Sequence, residues 1–305
     1  MPLHLTAACK TDVGQQRDQN EDACYTHIVA DDDRVGGIFV VADGMGGYHG
    51  GEVASKIAVD TISATLQSLL APASSQPTVR LKKKGGHAKA VEKPADGDNH
   101  VATAAEPSAT ADRGNETRQL TDSVIVEHYT EKLRQAIEDA SAQIVDYGKE
   151  HPEARGLGST VTAMLVIGDQ AFIANVGDSR TYLLRGTTLS RVTTDHSLVE
   201  RLVEAGQIER DDVYDHPHRN LIYRSLGGAT KSEVDVDIFV EHVVASDVLL
   251  LCSDGLWEMI RDEQIASILA EVTDPSAAAD LLIERANENG GEDNITAVVV
   301  RVATA

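Results

Sequence analysis

Four times along this chain an aspartate stands beside a short apolar run. Asp43-Gly44 follows Ile38-Phe39-Val40-Val41-Ala42, Gly177-Asp178 separates Ala171–Val176 from Ser179–Arg185, Asp254-Gly255 follows Val248–Cys252, and Glu292-Asp293 precedes Ile295–Val302. Runs this short and this rich in branched residues predict strands, not helices. Any fold has to bury those strands while leaving a carboxylate at an end of each. A single Asp-Gly is an ordinary turn. Repeated, with glycine letting the backbone approach closely, the pattern suits a hard cation that takes oxygen ligands. No His and Cys cluster at zinc spacing competes, so Mg²⁺ or Mn²⁺ is the expected metal.

Helical periodicity appears in two places. Val53, Ile57, Ile62, Leu66 and Leu69 recur at spacings of three to five, and Val126, Tyr129, Leu133, Ile137, Ala140, Ile144 and Tyr147 at three and four. Shorter helices are expected at Leu198–Ala205, Asp262–Glu271 and Pro275–Glu288, and Thr160–Ile167 with Ala171–Val176 predicts a hairpin. Strands, then helices, then strands again point to an α+β fold. Between the two long helices, residues 72–119 are rich in small, polar and charged side chains, with Val79, Leu81, Val91 and Val101 as their only large aliphatics. Such a stretch buries too little apolar surface to offset its ordering entropy. It is expected to be a disordered insertion in a single domain spanning 1–305, carrying a charge of +2 in a chain of net charge −22.

That acidity argues against nucleic acid as a partner. No run reaches the ~18–20 apolar residues of a membrane helix, and residues 1–10 lack a signal-peptide core. Cys9, Cys24 and Cys252 are too few and too scattered for a disulfide framework or a metal knuckle. Cys252, inside an apolar run, is expected to be a small buried hydrophobe. A soluble, cytoplasmic protein follows as the expectation.

Arg17-Asp18-Gln19-Asn20-Glu21-Asp22, Val41-Ala42-Asp43-Gly44-Met45-Gly46-Gly47 and Gly51-Glu52-Val53-Ala54-Ser55 open a series of motifs. Gly158-Ser159-Thr160, Asn175-Val176-Gly177-Asp178-Ser179-Arg180, Asp195-His196-Ser197, Ser253-Asp254-Gly255-Leu256-Trp257 and Asp293-Asn294-Ile295-Thr296 complete it. In this order the chain resembles the bacterial PPM, or type 2C, metal-dependent protein serine/threonine phosphatases. The resemblance implies a four-layer α-β-β-α sandwich: two antiparallel sheets flanked by helix pairs, with the active site at one edge. It also implies hydrolysis of phosphoserine and phosphothreonine in proteins by a metal-activated water at a binuclear Mn/Mg centre.

By residue-wise carry-over, Asp43 bridges two tight metal ions and the Gly44 carbonyl adds a ligand. Asp254 and Asp293 bind the second ion, with Glu21 and Asp22 at that ion or holding its waters. Arg17 grips the substrate phosphate, and Asp178 helps hold a third, weaker ion. Asp195–Asn220 matches a mobile flap. The pattern departs from the family at the general acid: Met45 follows Asp43-Gly44, Tyr48 follows the glycine pair, and His49 comes one residue later. His196, His216 and His218 are rival candidates, each expected to be structural or surface. Trp257 is expected to pack in the core. Phosphorylated proteins, substrates of a Ser/Thr kinase, are the implied partners of a monomer. A catalytically weak binding module and a phosphohydrolase of small esters stay open as other readings.

Overall fold

The computed structural model describes residues 3–31, 34–46, 50–70, 112–154, 156–227 and 234–304; the side chains of 31, 34 and 112–122 are not described. One unit comprises 1–70 and 128–305, and the second is 71–127. The expected insertion lies mostly outside the described residues. Its end does not: residues 112–119 already form the first turns of a long helix, where Arg113, Glu116, Arg118 and Gln119 have ordinary helix propensity.

Strands β1 (Leu3–Asp12), β2 (Asp22–Asp31) and β3 (Arg34–Met45) lead to helices α1 (Gly50–Leu70) and α2 (Asp112–Glu150). Then come β4 (Gly158–Ser159), β5 (Val161–Ile167), β6 (Gln170–Val176), β7 (Arg180–Arg185), β8 (Thr188–Arg191) and α3 (Leu198–Glu204). The chain closes with β9 (Asp237–His242), β10 (Val248–Cys252), α4 (Asp254–Trp257), α5 (Asp262–Glu271), α6 (Pro275–Glu288) and β11 (Ile295–Thr304). One sheet runs β1-β11-β10-β7-β8, and the other β2-β3-β5-β6-β9 with β4 paired to β3. The pairings are antiparallel.

Period-two alternation sorts the strand side chains into layers. Phe39 and Val41 of β3, Leu249 and Leu251 of β10, and Val298, Val300 and Val302 of β11 meet in the core between the sheets. From the same strands, Leu250, Cys252, Ala297 and Val299 turn outward onto Ile265, Leu269, Leu282 and Ile283 of α5 and α6. On the other sheet Ile38, Val40 and Ala42 are fully buried, as are Ala54, Ala58, Ile62 and Leu66 of α1 and Leu133, Ile137, Ala140 and Ile144 of α2. Tyr129 of α2 lies 5.3 Å from Phe172 of β6, ring to ring. The four layers expected from the motifs are therefore present. The α1 seam differs in detail: alanines 54 and 58 take the buried positions, and Val53 and Ile57 stay partly exposed, because small residues allow the helix to sit closer to the sheet.

Two expectations need correction. Strands β1 and β2 went unread, because neither is a continuous apolar run; they are edge strands with mixed exposure. Cys9 and Cys24 are not unrelated thiols but a disulfide, joining β1 of one sheet to β2 of the other. Sequence spacing excludes a framework of several bridges. It says nothing of a single pair that the packing of two sheet edges brings together. Cys252 is buried as expected, and burial raises its thiol pKa far above the usual range.

Candidate metal and phosphate site

The acidic side chains converge because strand register places them. Asp22 at the start of β2 stands directly opposite Asp43 near the end of β3. Asp43 is fixed through its backbone: its N–H donates to Thr160 Oγ1 at 3.1 Å, and its carbonyl accepts from the Thr160 N–H at 2.8 Å and Ser159 Oγ at 3.0 Å. Gly44 comes next, and any Cβ there would collide with the Gly51 carbonyl at the start of α1. Asp178 lies in the turn between β6 and β7. Gly177 makes that turn at φ +106°, a conformation that disfavours any side chain. Asp254 opens α4, with Ser253 alone between it and β10, and Asp293 stands two residues before β11.

Burial without enough positive charge shapes the electrostatics. Asp22 is pushed up to about 8, chiefly by burial and then by Asp254 and Asp293, against hydrogen bonds from Thr296 and Ser253. Burial and then Asp293 raise Asp254 to about 6. Asp43 is partly exposed yet sits deep among protein atoms, and that burial, followed by Asp254, Asp22 and Asp178, raises it well above the carboxylate range. Asp178 is raised likewise, by burial and then Asp254. Burial also raises Glu21, against a hydrogen bond from the Gly51 backbone and the charge of Arg17.

Two carboxylate oxygens, Asp22 Oδ1 and Asp254 Oδ1, are buried without a hydrogen-bond partner. A buried, unpaired carboxylate oxygen is costly unless a cation or a proton reaches it. The donor set is all oxygen, as Mg²⁺ and Mn²⁺ require. Among the described residues, no three His, Cys, Asp or Glu side chains already stand at metal-ligand spacing. Two of them have protein partners: Asp293 accepts from Arg17 Nη2 at 2.6 Å, and Asp22 Oδ2 accepts from Ser253 Oγ at 2.7 Å. The residues therefore fit divalent cations by chemistry, charge and orphaned oxygens, with side-chain rotation needed to close on an ion. Arg17 is half exposed and lies on Asp293.

Several residues without an assigned role turn out to hold the site together. Asn294 pins the β1–β2 loop that carries Arg17: its Nδ2 donates to the carbonyls of Val13 and Gln19, and its Oδ1 accepts the Glu21 N–H. Trp257 is buried, as expected, and its Nε1–H donates to the Asp178 carbonyl at 3.0 Å. The Arg180 guanidinium stacks over the same indole and pairs with the buried Asp195. Glu258, directly after α4, adds an acidic side chain to the neighbourhood. Only its spacing four residues after Asp254 could have revealed it.

The histidines divide as follows. His196 is buried, and its Nδ1 accepts the Gly177 N–H at 3.1 Å, so that nitrogen carries no proton. Its Nε2 faces Asp237 at 3.2 Å, and burial lowers its pKa despite that carboxylate. It is a structural group that holds the Gly177 backbone, next to Asp178 in the chain. His216 and His218 bond to each other in the flap region, through the His218 N–H and His216 Nδ1. Tyr48 and His49 lie outside the described residues. In the flap, α3 forms as expected and ends before Gly206 at φ +65°.

Residues 14–288 match the family model described as protein phosphatase 2C. The chain is 34% identical over 296 residues to the serine/threonine phosphatase Stp of Listeria welshimeri, covering 97% of this chain and 95% of that one. The crystal structure of the Mycobacterium tuberculosis serine/threonine phosphatase PstP superposes with a TM-score of 0.71 at 28% identity, covering 98% of this chain and 99% of that one. The PstP catalytic domain in complex with two manganese ions gives a TM-score of 0.69 at 29% identity, covering 99% and 100%. With motifs, layers and carboxylates in one order over nearly its whole length, the chain belongs to the protein phosphatase 2C family of metal-dependent serine/threonine phosphatases.

Proposed function

We propose that the carboxylates of Asp22, Asp43, Asp178, Asp254 and Asp293, with Glu21 and the Gly44 carbonyl, hold the divalent ions of a phosphoserine and phosphothreonine hydrolase. Asp43 would be shared by two tight Mn²⁺ or Mg²⁺ ions, Asp254 and Asp293 would hold the second, and Glu21 and Asp22 would bind that ion or orient its waters. Asp178, with Asp254, serves a third, weaker ion. Such ions, when bound, neutralise the phosphate and acidify a water for in-line attack on phosphorus. The protein's own contribution is position. The Thr160 and Ser159 bonds fix Asp43, the Trp257 indole fixes the Asp178 backbone, and Asn294 fixes the Arg17 loop. Arg17 offers a planar fork to two phosphoryl oxygens, and no side-chain nucleophile is required.

The observation that carries this reading is the pair of buried, partnerless oxygens on Asp22 and Asp254. The substrates are phosphoproteins made by a Ser/Thr kinase, met by a monomer in the cytoplasm, with neither nucleic acid nor membrane as a partner. No helix among the described residues is long and apolar enough to cross a membrane. The phosphatase domain is single, and 72–119 is an insertion that holds none of the proposed site residues. Calorimetric titration tests the ligand set. Wild-type protein stripped of metal should take up two tight Mn²⁺ ions, and Asp43→Ala fewer than two, with turnover close to absent. Two ions at wild-type affinity in that variant would refute the bridging role.

A further inference from the structure

The carboxylates come from both sheets. Asp22 and Asp43 lie on β2 and β3 of one sheet, whereas Asp254 follows β10 and Asp293 precedes β11 of the other. How the four meet therefore depends on how the two sheets are held together here. Strands β1 and β2, at the ends of their sheets, lie against each other. Hydrogen bonds cross between the sheets at the site: Ser253 Oγ, beside Asp254, donates to Asp22 at 2.7 Å, and Asn294 Oδ1, beside Asp293, accepts the Glu21 N–H at 2.8 Å. A covalent tie runs beside them, the Cys9–Cys24 disulfide. Cys24 pairs in register with Val41, two residues from the Asp22–Asp43 pair, and Cys9 pairs with Val298, five residues after Asp293. Both cysteines are partly exposed and pack against the core between the sheets. A small thiol therefore reaches the bond, and the seam keeps its packing when the bond opens. Cys252 is fully buried on the helix-facing side of its sheet, so it does not exchange with the pair.

We infer that the Cys9–Cys24 bridge is a redox-sensitive brace between the two sheets, so that the oxidised protein binds divalent ions and phosphopeptide more tightly than the dithiol form. This rests on Asp22, Asp43, Asp254 and Asp293 holding the ions, and the test separates the two. Reduction proceeds by exchange with a small dithiol. Its thiolate attacks one sulfur, a mixed disulfide forms, and the other cysteine leaves as a thiolate. The second thiol of the reductant then closes its own disulfide, and two electrons and two protons have passed to Cys9 and Cys24. Hydrogen peroxide reverses the change and ends as two waters. A disulfide that holds a site in its bound arrangement lowers the ordering cost of binding. Without it the ions must order the two sheet edges themselves, which weakens binding about two- to tenfold, the cost of immobilising one long side chain.

The test compares oxidised wild type, wild type reduced with dithiothreitol and desalted without air, and the Cys9→Ser, Cys24→Ser double variant. Thiol titration in denaturant should find one thiol in the oxidised protein and three in the reduced. Mn²⁺ binding to metal-stripped protein is followed by electron paramagnetic resonance of the free ion. Reduction should weaken it about two- to tenfold, and peroxide should restore it. At subsaturating Mn²⁺ the KM for a phosphoserine peptide should rise in step, while kcat at saturation stays unchanged. The double variant should match the reduced protein and ignore dithiothreitol. All three forms should melt above the assay temperature. Equal Mn²⁺ affinity in the oxidised and reduced proteins overturns the brace and leaves the metal reading standing, and so do three thiols after oxidation. A reduced protein that loses turnover only in proportion to its unfolded fraction also overturns it, as a staple of the fold alone. Absence of Mn²⁺ binding in the oxidised wild type overturns the metal reading, and the brace with it.

Discussion

Arg17 shows how one side chain can serve two masters. Its guanidinium rests on the partly buried Asp293 while remaining half exposed to an incoming anion. If it grips the phosphate, Arg17→Ala should cost on the order of 2–5 kcal/mol in kcat/KM, measured on a phosphoserine peptide. Arg17→Lys should recover only part, because an ammonium cannot make the two parallel hydrogen bonds of the planar fork. Full activity in the lysine variant would mean that a point charge is enough. Arg17, Asp43, Asp254 and Asp293 were legible in the sequence because each sits in a compact local motif. Ser253 and Asn294 were not, because their importance lies in partners far along the chain. Ser253 meets Asp22 231 residues away, and Asn294 reaches Val13 281 residues away. No local window contains such pairs.

Most of the elements were readable from periodicity: β5, β6, β10 and β11 as apolar runs, and α1, α2, α5 and α6 as amphipathic helices. Edge strands β1, β2, β8 and β9 were missed because one side of each is poorly buried, which dilutes the alternation that identifies a strand. The Cys9–Cys24 bridge follows from the same blind spot, since it joins two of those unread strands. It closes a loop of sequence separation 15 that contains Arg17, Glu21 and Asp22. On loop closure alone the bridge contributes about 3 kcal/mol. The Cys9→Ser, Cys24→Ser double variant should therefore unfold in urea with about 2–4 kcal/mol less stability than the oxidised protein. Reductant should bring the wild type to the same midpoint. A wild-type midpoint indifferent to reductant would mean the bond contributes nothing. A reducing cytoplasm would hold the pair largely as thiols, so the reduced midpoint is the one that applies there.

Across the whole molecule, stability and function meet in the same carboxylates. Asp22 at about 8 and Asp254 at about 6 lie above the ordinary carboxylate value in the folded protein. The folded state therefore binds more protons than the unfolded chain between those values and about pH 4. The stability linked to these two groups is full below that point and is lost as pH rises through 6 and then 8. In chelator the melting temperature should fall between pH 5.5 and 8.5, and saturating Mn²⁺ should cancel or reverse the fall, because the ion takes the place of the protons. A stripped protein whose melting temperature rises steadily across that window would contradict the assignment. The most direct test of the central claim is phosphate release from phosphoserine and phosphothreonine peptides by chelator-treated protein as Mn²⁺ or Mg²⁺ is returned. Turnover should be absent in chelator and restored by either ion. Undiminished turnover in chelator, or hydrolysis of small phosphate esters with none of the phosphopeptides, would contradict it.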